Sequence, residues 1–172
     1  MIMSGHRLGL FVLAVTMLFA AGASAQQKHV WLRTCVDNKK PTTCRIGQQL
    51  FLSKKIDGKQ KNLGLVLGLS ILYSEDPKTK KRALYMTFRM PLGVDLRPGA
   101  VMRIDKGPEI RLTYLQCTNS GCDASLPLDG KILKALKSGN TINIGFRPWG
   151  QTKVTAIPAS LKGFTKAFRG LK

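Results

Sequence analysis

The chain has 172 residues, 44% of them hydrophobic, and 28 lysines and arginines against 9 acidic residues, for a formal net charge of +19. This length suits one domain that is large enough to bury a core, and the positive charge favours an anionic partner. Only two histidines are present, too few for a metal site built from several imidazoles.

The first predicted element is a cleavable secretory signal peptide over residues 1–25. Its apolar run over 8–21 has the length of a signal core and is shorter than the roughly 20 residues of a membrane span. Small residues follow, so we predict cleavage between Ala25 and Gln26. A retained N-terminal anchor is the alternative. Residues 26–172 would then form a single exported domain with a net charge of +18, because the signal carries one arginine.

Strands are predicted next, because apolar and polar residues alternate along much of the chain. The clearest run has Leu84, Met86, Phe88 and Met90 on one face of the predicted strand. Turn residues separate the runs, as in Asp57-Gly58. The pattern predicts an all-β antiparallel sandwich or barrel, with strands near residues 29–36, 43–53, 62–73, 82–90, 100–105, 109–117, 140–147 and 151–157.

Two short helices are predicted in the C-terminal third of the chain. The first covers Asp129 to Lys137 and stops before Gly139. The second starts at Ser160 as N-cap and runs towards Leu171. Its apolar residues form one narrow stripe, which suits both a docked helix and a helix on a membrane surface. We favour a helix docked on the sandwich, because a helix of roughly 11 residues needs tertiary packing to persist. The stripe consists of Leu161, Phe164, Phe168 and Leu171.

Four cysteines follow the signal peptide, and an even number in an exported chain predicts two disulfides. Three pairings are possible, and we favour the local one, which joins Cys35 to Cys44 and Cys117 to Cys122, because turn residues separate each pair. A four-cysteine zinc site is the alternative, but its knuckles have two residues between cysteines, a spacing that is absent here.

The residues show no catalytic constellation. The single histidine after the signal, His29, lies near the new N-terminus, and the acidic residues are scattered without an obvious pair. Phosphate-binding and dinucleotide-binding glycine motifs are missing. We therefore predict no enzyme activity and no catalytic, cofactor-binding or metal-binding residues.

Basic residues are densest in two loops, which we interpret as a candidate anion-binding site. One loop holds Lys78, Lys80, Lys81 and Arg82, and the other holds Lys54, Lys55, Lys59 and Lys61. We expect the two to form one patch on neighbouring hairpin ends; simple solvation of surface lysines is the alternative. Trp31 and Trp149 could add an aromatic platform, although single tryptophans in strands are more often packed in a core.

Several short motifs, in this order, resemble the invasion-associated locus B family of exported bacterial proteins. They extend over roughly residues 30–170, while residues 53–82 carry none. The resemblance implies an immunoglobulin-like β-sandwich in the periplasm or at the outer membrane, without catalytic residues, and a link to host-cell entry in some members. The motifs are Trp31-x3-Cys35 with Cys44, Pro91-Leu92-Gly93-Val94, Pro98-Gly99, Ile104-Asp105, Cys117-x3-Gly121-Cys122-x-Ala124 and Leu161-x-Gly163-Phe164-Thr165-x-Ala167.

These observations lead to a functional hypothesis with one main alternative. The chain is expected to be a non-enzymatic protein of the periplasm, the outer membrane or the exterior that binds an anionic envelope or host-surface component and contributes to host-cell interaction. The alternative is a structural envelope protein that docks a specific protein partner at a strand edge. Export disfavours nucleic acid as the partner, and no second apolar segment is long enough to span a membrane.

Overall fold

The computed structural model describes residues 31–75 and 79–171, so the signal peptide, its predicted cleavage site at Ala25 and Gln26, His29 and Lys78 lie outside it. The described chain forms nine strands, two α-helices and one short 3-10 turn at Pro41–Thr43. The strands are β1 Leu32–Cys35, β2 Cys44–Ile56, β3 Lys59–Glu75, β4 Arg82–Met90, β5 Ala100–Ile104, β6 Ile110–Thr118, β7 Gly121–Pro127, β8 Thr141–Phe146 and β9 Thr155–Ser160; the helices are α1 Gly130–Ser138 and α2 Phe164–Arg169.

All nine strands belong to one antiparallel sheet in the order β1-β2-β3-β4-β7-β6-β5-β8-β9. Strand β6 serves two neighbours, since Ile110–Leu112 pair with β5 and residues 113–118 pair with β7. The predicted all-β antiparallel class is confirmed. The immunoglobulin-like sandwich stays a prediction, because the hydrogen bonds describe a single curled sheet.

The two ends of the strand order meet at one backbone carbonyl. The oxygen of Ser160, at the end of β9, accepts hydrogen bonds from Trp31 Nε1 at 2.9 Å and Gln48 Nε2 at 2.8 Å. Trp31 directly precedes β1 and Gln48 lies in β2. These side chains therefore link the two ends of the curled sheet, between which the described residues form no backbone ladder.

The core lies on the inner face of the sheet and is covered at one end by α2. Alternate residues of β4 are buried, and so are the four apolar residues predicted to form the C-terminal stripe. Phe164 packs edge-on against Trp31 with ring centroids 5.0 Å apart. The docked interpretation of the C-terminal helix is thus confirmed. Within residues 31–75 and 79–171, no helix is long and apolar enough to cross a membrane.

The differences from the predicted elements include one missed strand and two shifted boundaries. Strand β7 was missed because its buried face is made of small residues, Cys122 and Ala124 before Leu126, in a segment rich in turn formers. Strand β9 runs over 155–160 and not 151–157, since Pro158 is tolerated at the open edge of the sheet. Helix α2 begins after Gly163, and the hydroxyl of Ser160 instead accepts a hydrogen bond from the Lys162 N–H.

The cysteines form two local disulfides, Cys35–Cys44 and Cys117–Cys122. Each joins directly opposed positions of neighbouring strands, β1 with β2 and β6 with β7. No cluster of three or more metal-ligating side chains occurs among the described residues. The cysteines are therefore crosslinks of the strand ends, and none is available as a metal ligand or a nucleophile.

Candidate functional site: a basic hairpin arm

The hairpin of β2 and β3 continues beyond the rest of the sheet. Strand β1 pairs with β2 only up to Gly47, and β4 pairs with β3 only from Gly68 onwards. Within the described residues, 51–64 therefore form a two-stranded ribbon with two open edges, which we name the basic arm. All of its residues are exposed except the half-buried Ile56.

A tight turn fixes which side chains of the basic arm face each other. Asp57 and Gly58 both adopt left-handed backbone angles, with φ of 51° and 75°, as a two-residue hairpin turn of type I′ requires. The register that results places Lys54 opposite Lys61 and Ile56 opposite Lys59. Directly opposed side chains lie on one face and have Cβ atoms about 5 Å apart.

The two faces of the basic arm differ in their chemistry. Because residues two apart share a face, Lys54, Lys59 and Lys61 project together around Ile56. The other face carries Lys55 among polar side chains, where Gln60 Nε2 donates a hydrogen bond of 2.8 Å to Ser53 Oγ. One face is thus a cluster of three cations, and the other is mainly neutral and internally hydrogen bonded.

These cations have no acidic partner in the described chain. Among residues 31–75 and 79–171, no carboxylate oxygen lies within 4.0 Å of the ammonium nitrogen of Lys54, Lys55, Lys59 or Lys61. Like charges directly opposite each other destabilise a strand pair. A bound anion would remove this repulsion, so the geometry suits a ligand that carries several negative charges.

The second basic loop does not join the first, so the expected single patch is wrong. The basic arm leaves β3 at its N-terminal end, whereas Lys80, Lys81 and Arg82 follow its C-terminal end. Strand β3 has 17 residues, and at about 3.3 Å per residue its ends are roughly 50 Å apart. Residues that precede and follow one strand lie at its opposite ends, so the two groups of cations are far apart.

Cations of this second loop are also engaged within the chain. Lys80 Nζ lies 3.7 Å from Glu75 Oε1, and the guanidinium of Arg82 lies 5.0 Å from the centre of the Tyr73 ring. The charges of Lys80 and Arg82 are thus engaged within the chain, whereas the lysines of the basic arm have no acidic partner among the described residues. Of the predicted anion-binding residues, the structure thus groups Lys54 and Lys55 with Lys59 and Lys61, and separates Lys80, Lys81 and Arg82 from them.

A second cluster, missed from the sequence, lies in the loops after β4 and β8. The carboxylate of Asp95 is buried, with 2% exposure, and accepts hydrogen bonds from Arg97 Nε and Nη2, both at 2.8 Å, and from Arg147 Nη2 at 2.6 Å. The Arg97 guanidinium in turn lies 5.0 Å from the centre of the Trp149 ring. The spacing Asp95-Leu-Arg97 was the one local signal; Arg147 is brought in by the fold.

Charge in this cluster is fixed by its contacts. The hydrogen bond from Arg97, followed by that from Arg147, holds the pKa of Asp95 well below its ordinary value against the opposing effect of burial. Burial and the negative charge of Asp95 raise the pKa of Tyr114 to about 12.

The predicted aromatic platform of two tryptophans does not form, because Trp31 is buried in the core while Trp149 is exposed.

Comparison with known proteins relates this chain to a family of similar sequence. The sequence pattern described as the invasion associated locus B (IalB) protein matches residues 31–172. Two curated relatives, the invasion protein B homologs of Brucella abortus strain 2308 and of B. abortus biovar 1 strain 9-941, are each 30% identical over 148 residues, covering 85% of this chain and 79% of the relative.

A solved structure agrees in fold. The crystal structure of invasion associated protein B from Bartonella henselae matches with a TM-score of 0.62 at 17% identity, covering 83% of this chain and 92% of that chain. At this identity the match speaks for the fold alone, while the family pattern and the Brucella relatives speak for common descent. The chain belongs to the invasion associated locus B family.

Proposed function

We propose that the chain is an exported, non-enzymatic protein of the bacterial envelope or surface that binds an anionic partner through the basic arm. The observation that carries the proposal is the opposed pair Lys54 and Lys61, joined on the same face by Lys59 and lacking any carboxylate neighbour in the described chain. Three like charges close together on a two-stranded ribbon repel one another, and a bound anionic ligand would offset this repulsion.

Several features support export and a role outside the cytoplasm. Both disulfides favour an oxidising compartment, and residues 1–25 have the pattern of a signal peptide. We place the protein in the periplasm, in association with the outer membrane or after secretion. Relatives named as invasion proteins support a contribution to host-cell interaction, with the anionic partner in the envelope or on the host surface.

A protein partner that adds a strand to an open edge is the second candidate. The basic arm offers two such edges, since β2 beyond Gly47 and β3 before Gly68 have no outer neighbours in the part of the chain that the structure describes. Lysines on edge strands commonly prevent strand addition, which favours the anionic partner. The two candidates differ in salt dependence, because backbone hydrogen bonds are insensitive to salt and exposed charges are screened within about 8 Å at physiological ionic strength.

The test measures binding of the oxidised protein, residues 26–172, to a soluble sulfated polysaccharide across a salt series. We expect affinity to fall steeply with salt, and the variant K54Q/K59Q/K61Q to lose about two to three from the slope of log affinity against log salt, because each lysine releases roughly one counterion. The matched control K80Q/K81Q/R82Q removes the same charge from the other end of β3. Equal losses in both variants, or salt-independent binding, would contradict a site in the basic arm.

A further inference from the structure

We propose that the end of the sheet that carries the basic arm docks on an anionic phospholipid bilayer and inserts Trp149, Leu92 and Leu96 into its headgroup region. The inference rests on the proposed function and names its partner. It starts from four large apolar side chains exposed in two loops, β4–β5 and β8–β9. They are Leu92, Leu96, Trp149 and Val154, exposed by 57, 48, 67 and 62%.

These two loops form one connected surface. The backbone N–H of Trp149 donates to the Gly93 carbonyl at 2.7 Å, and the backbone N–H of Asp95 donates to the Arg147 carbonyl at 2.7 Å. A β-bridge between Val94 and Pro148 lies between these hydrogen bonds. The apolar side chains are thus presented by a fixed backbone, which lowers the entropy lost when they bind.

The side chain of Trp149 is positioned by its contact with Arg97. Its ring stacks on Arg97, and Arg97 is fixed by two hydrogen bonds to the buried carboxylate of Asp95. An exposed indole with a fixed orientation needs little reordering on contact. Indole rings favour the boundary between water and acyl chains, where the apolar ring is buried and its N–H stays hydrated.

The basic arm and the apolar loops face the same way. Strand β4 is antiparallel to β3, and Arg89 near its end pairs with Gly68, where the arm begins to project. The loop that follows Met90 therefore leaves the same end of the sheet as the arm. A partner approached from this end meets lysines on the ribbon and apolar tips on the loops.

Charge around the loops suits a bilayer with anionic headgroups. Lys153 lies in the β8–β9 loop beside Val154, and Arg97 and Arg147 flank the apolar tips. Asp95 is the single acidic residue of residues 91–99 and 147–154, and two arginines neutralise it. Protruding apolar tips with a cationic rim match an interface whose surface is negative and whose interior is apolar. A soluble polyanion would engage the cations alone.

Tryptophan fluorescence tests the inference directly, because the chain has two tryptophans and Trp31 is buried. The probe is vesicles of equal parts phosphatidylcholine and phosphatidylglycerol, with pure phosphatidylcholine vesicles and the sulfated polysaccharide as comparisons. We expect a blue shift and quenching by brominated acyl chains on the anionic vesicles, and neither with the polysaccharide. An identical shift with the polysaccharide, or no shift on bound vesicles, would overturn the inference.

Variants separate the loops from the arm. L92S/L96S is expected to weaken vesicle binding by roughly tenfold or more and to leave polysaccharide binding unchanged. The control L32S/V36S removes two exposed apolar side chains elsewhere and should bind like the unaltered protein. W149F should weaken vesicle binding less than L92S/L96S, because phenylalanine keeps an apolar ring, and should abolish the fluorescence shift, which assigns the signal to Trp149.

The two proposals can fail separately. If K54Q/K59Q/K61Q weakens vesicle binding while L92S/L96S does not, the proposed function stands and lipid insertion is overturned. If L92S/L96S weakens vesicle binding, the Trp149 shift remains and the arm variant binds both probes normally, insertion stands and the arm is overturned as the anionic site.

Discussion

The basic arm and the loops around Asp95 extend from the same end of the sheet and use positive charge in opposite ways. In the arm, Lys54, Lys59 and Lys61 share a face without an acidic partner in the described residues. In the loops, Arg97 and Arg147 are bound to one buried carboxylate. The difference teaches that unpaired charge is available to attract a ligand, whereas charge paired with a buried partner positions neighbouring groups.

Shortening the basic arm should break this comparison most strongly. Deleting residues 53–56 and 59–62, which leaves the Asp57-Gly58 turn, removes all four lysines of the arm. We expect binding to anionic vesicles to fall by on the order of 100-fold or more, since each lysine near such a surface contributes about 1 kcal/mol. Thermal unfolding should change little, because no arm side chain is fully buried. A large drop in Tm would show that the arm also stabilises the sheet.

Reversing one charge should separate binding from stability within the arm. K54E places a carboxylate opposite Lys61, which relieves repulsion, so amide exchange in the arm is expected to slow by up to about fivefold. Vesicle binding should nevertheless weaken by roughly 30-fold, because two units of charge are lost. K55E is the matched control for amide exchange, since it removes the same charge but Lys55 faces Gln60, so no slowing is expected. Tighter binding by K54E would contradict the role assigned to the lysine cluster.

Removing the buried carboxylate should affect the loops and not the arm. Because the pKa of Asp95 is lowered on folding, its charge stabilises the fold above the ordinary pKa near 4, and this stabilisation is lost as pH falls below that value. D95N should therefore have a lower Tm than the unaltered protein at pH 7, and the difference should shrink as pH falls from about 4 to 2.

The same variant reports on Trp149, whose exposed ring should become easier to quench with acrylamide when Arg97 is released. D123N is the control, since the Asp123 carboxylate pairs with Arg89 on β4 and is 17% exposed, against 2% for Asp95. A Tm difference that stays constant between pH 7 and pH 2 would show that D95N acts through packing and not through charge.

The smallest effect is expected at the far end of β3. E75Q removes the partner of Lys80, so polysaccharide affinity should rise, by no more than about threefold, because an exposed ion pair is weak. A gain as large as the loss caused by K54Q/K59Q/K61Q would contradict the proposed site, because it would locate anion binding at the C-terminal end of β3 and not in the basic arm.

The sequence was informative where side chains repeat with a strict period. Strand β4 was predicted to the residue, because Leu84, Met86, Phe88 and Met90 are large and alternate with less buried positions. Strand β7 has the same period with smaller side chains, so its signal was hidden by Gly121 and Ser125. Period identifies a strand only when the buried residues are large enough to stand out from turn composition.

The candidate site was less accessible, since it depends on which segments the topology brings together. The lysines of the arm were identified, but they were grouped with Lys80 and Lys81 at the opposite end of β3. The Asp95 cluster requires Arg147, which is 52 residues away in the chain, and no local pattern marks such a pair. Sequence spacing therefore identified charged segments and left their spatial relation to the fold.

Reach is a further consequence of the length of β2. The arm extends about six residues per strand past the sheet, roughly 20 Å, whereas electrostatic potential decays over about 8 Å at physiological salt. A partner at the tip of the hairpin is thus screened from the charge of the body. If both proposals hold, first contact and final seating would be separate kinetic events, with capture by the ribbon setting the on-rate and seating of the loops setting the residence time.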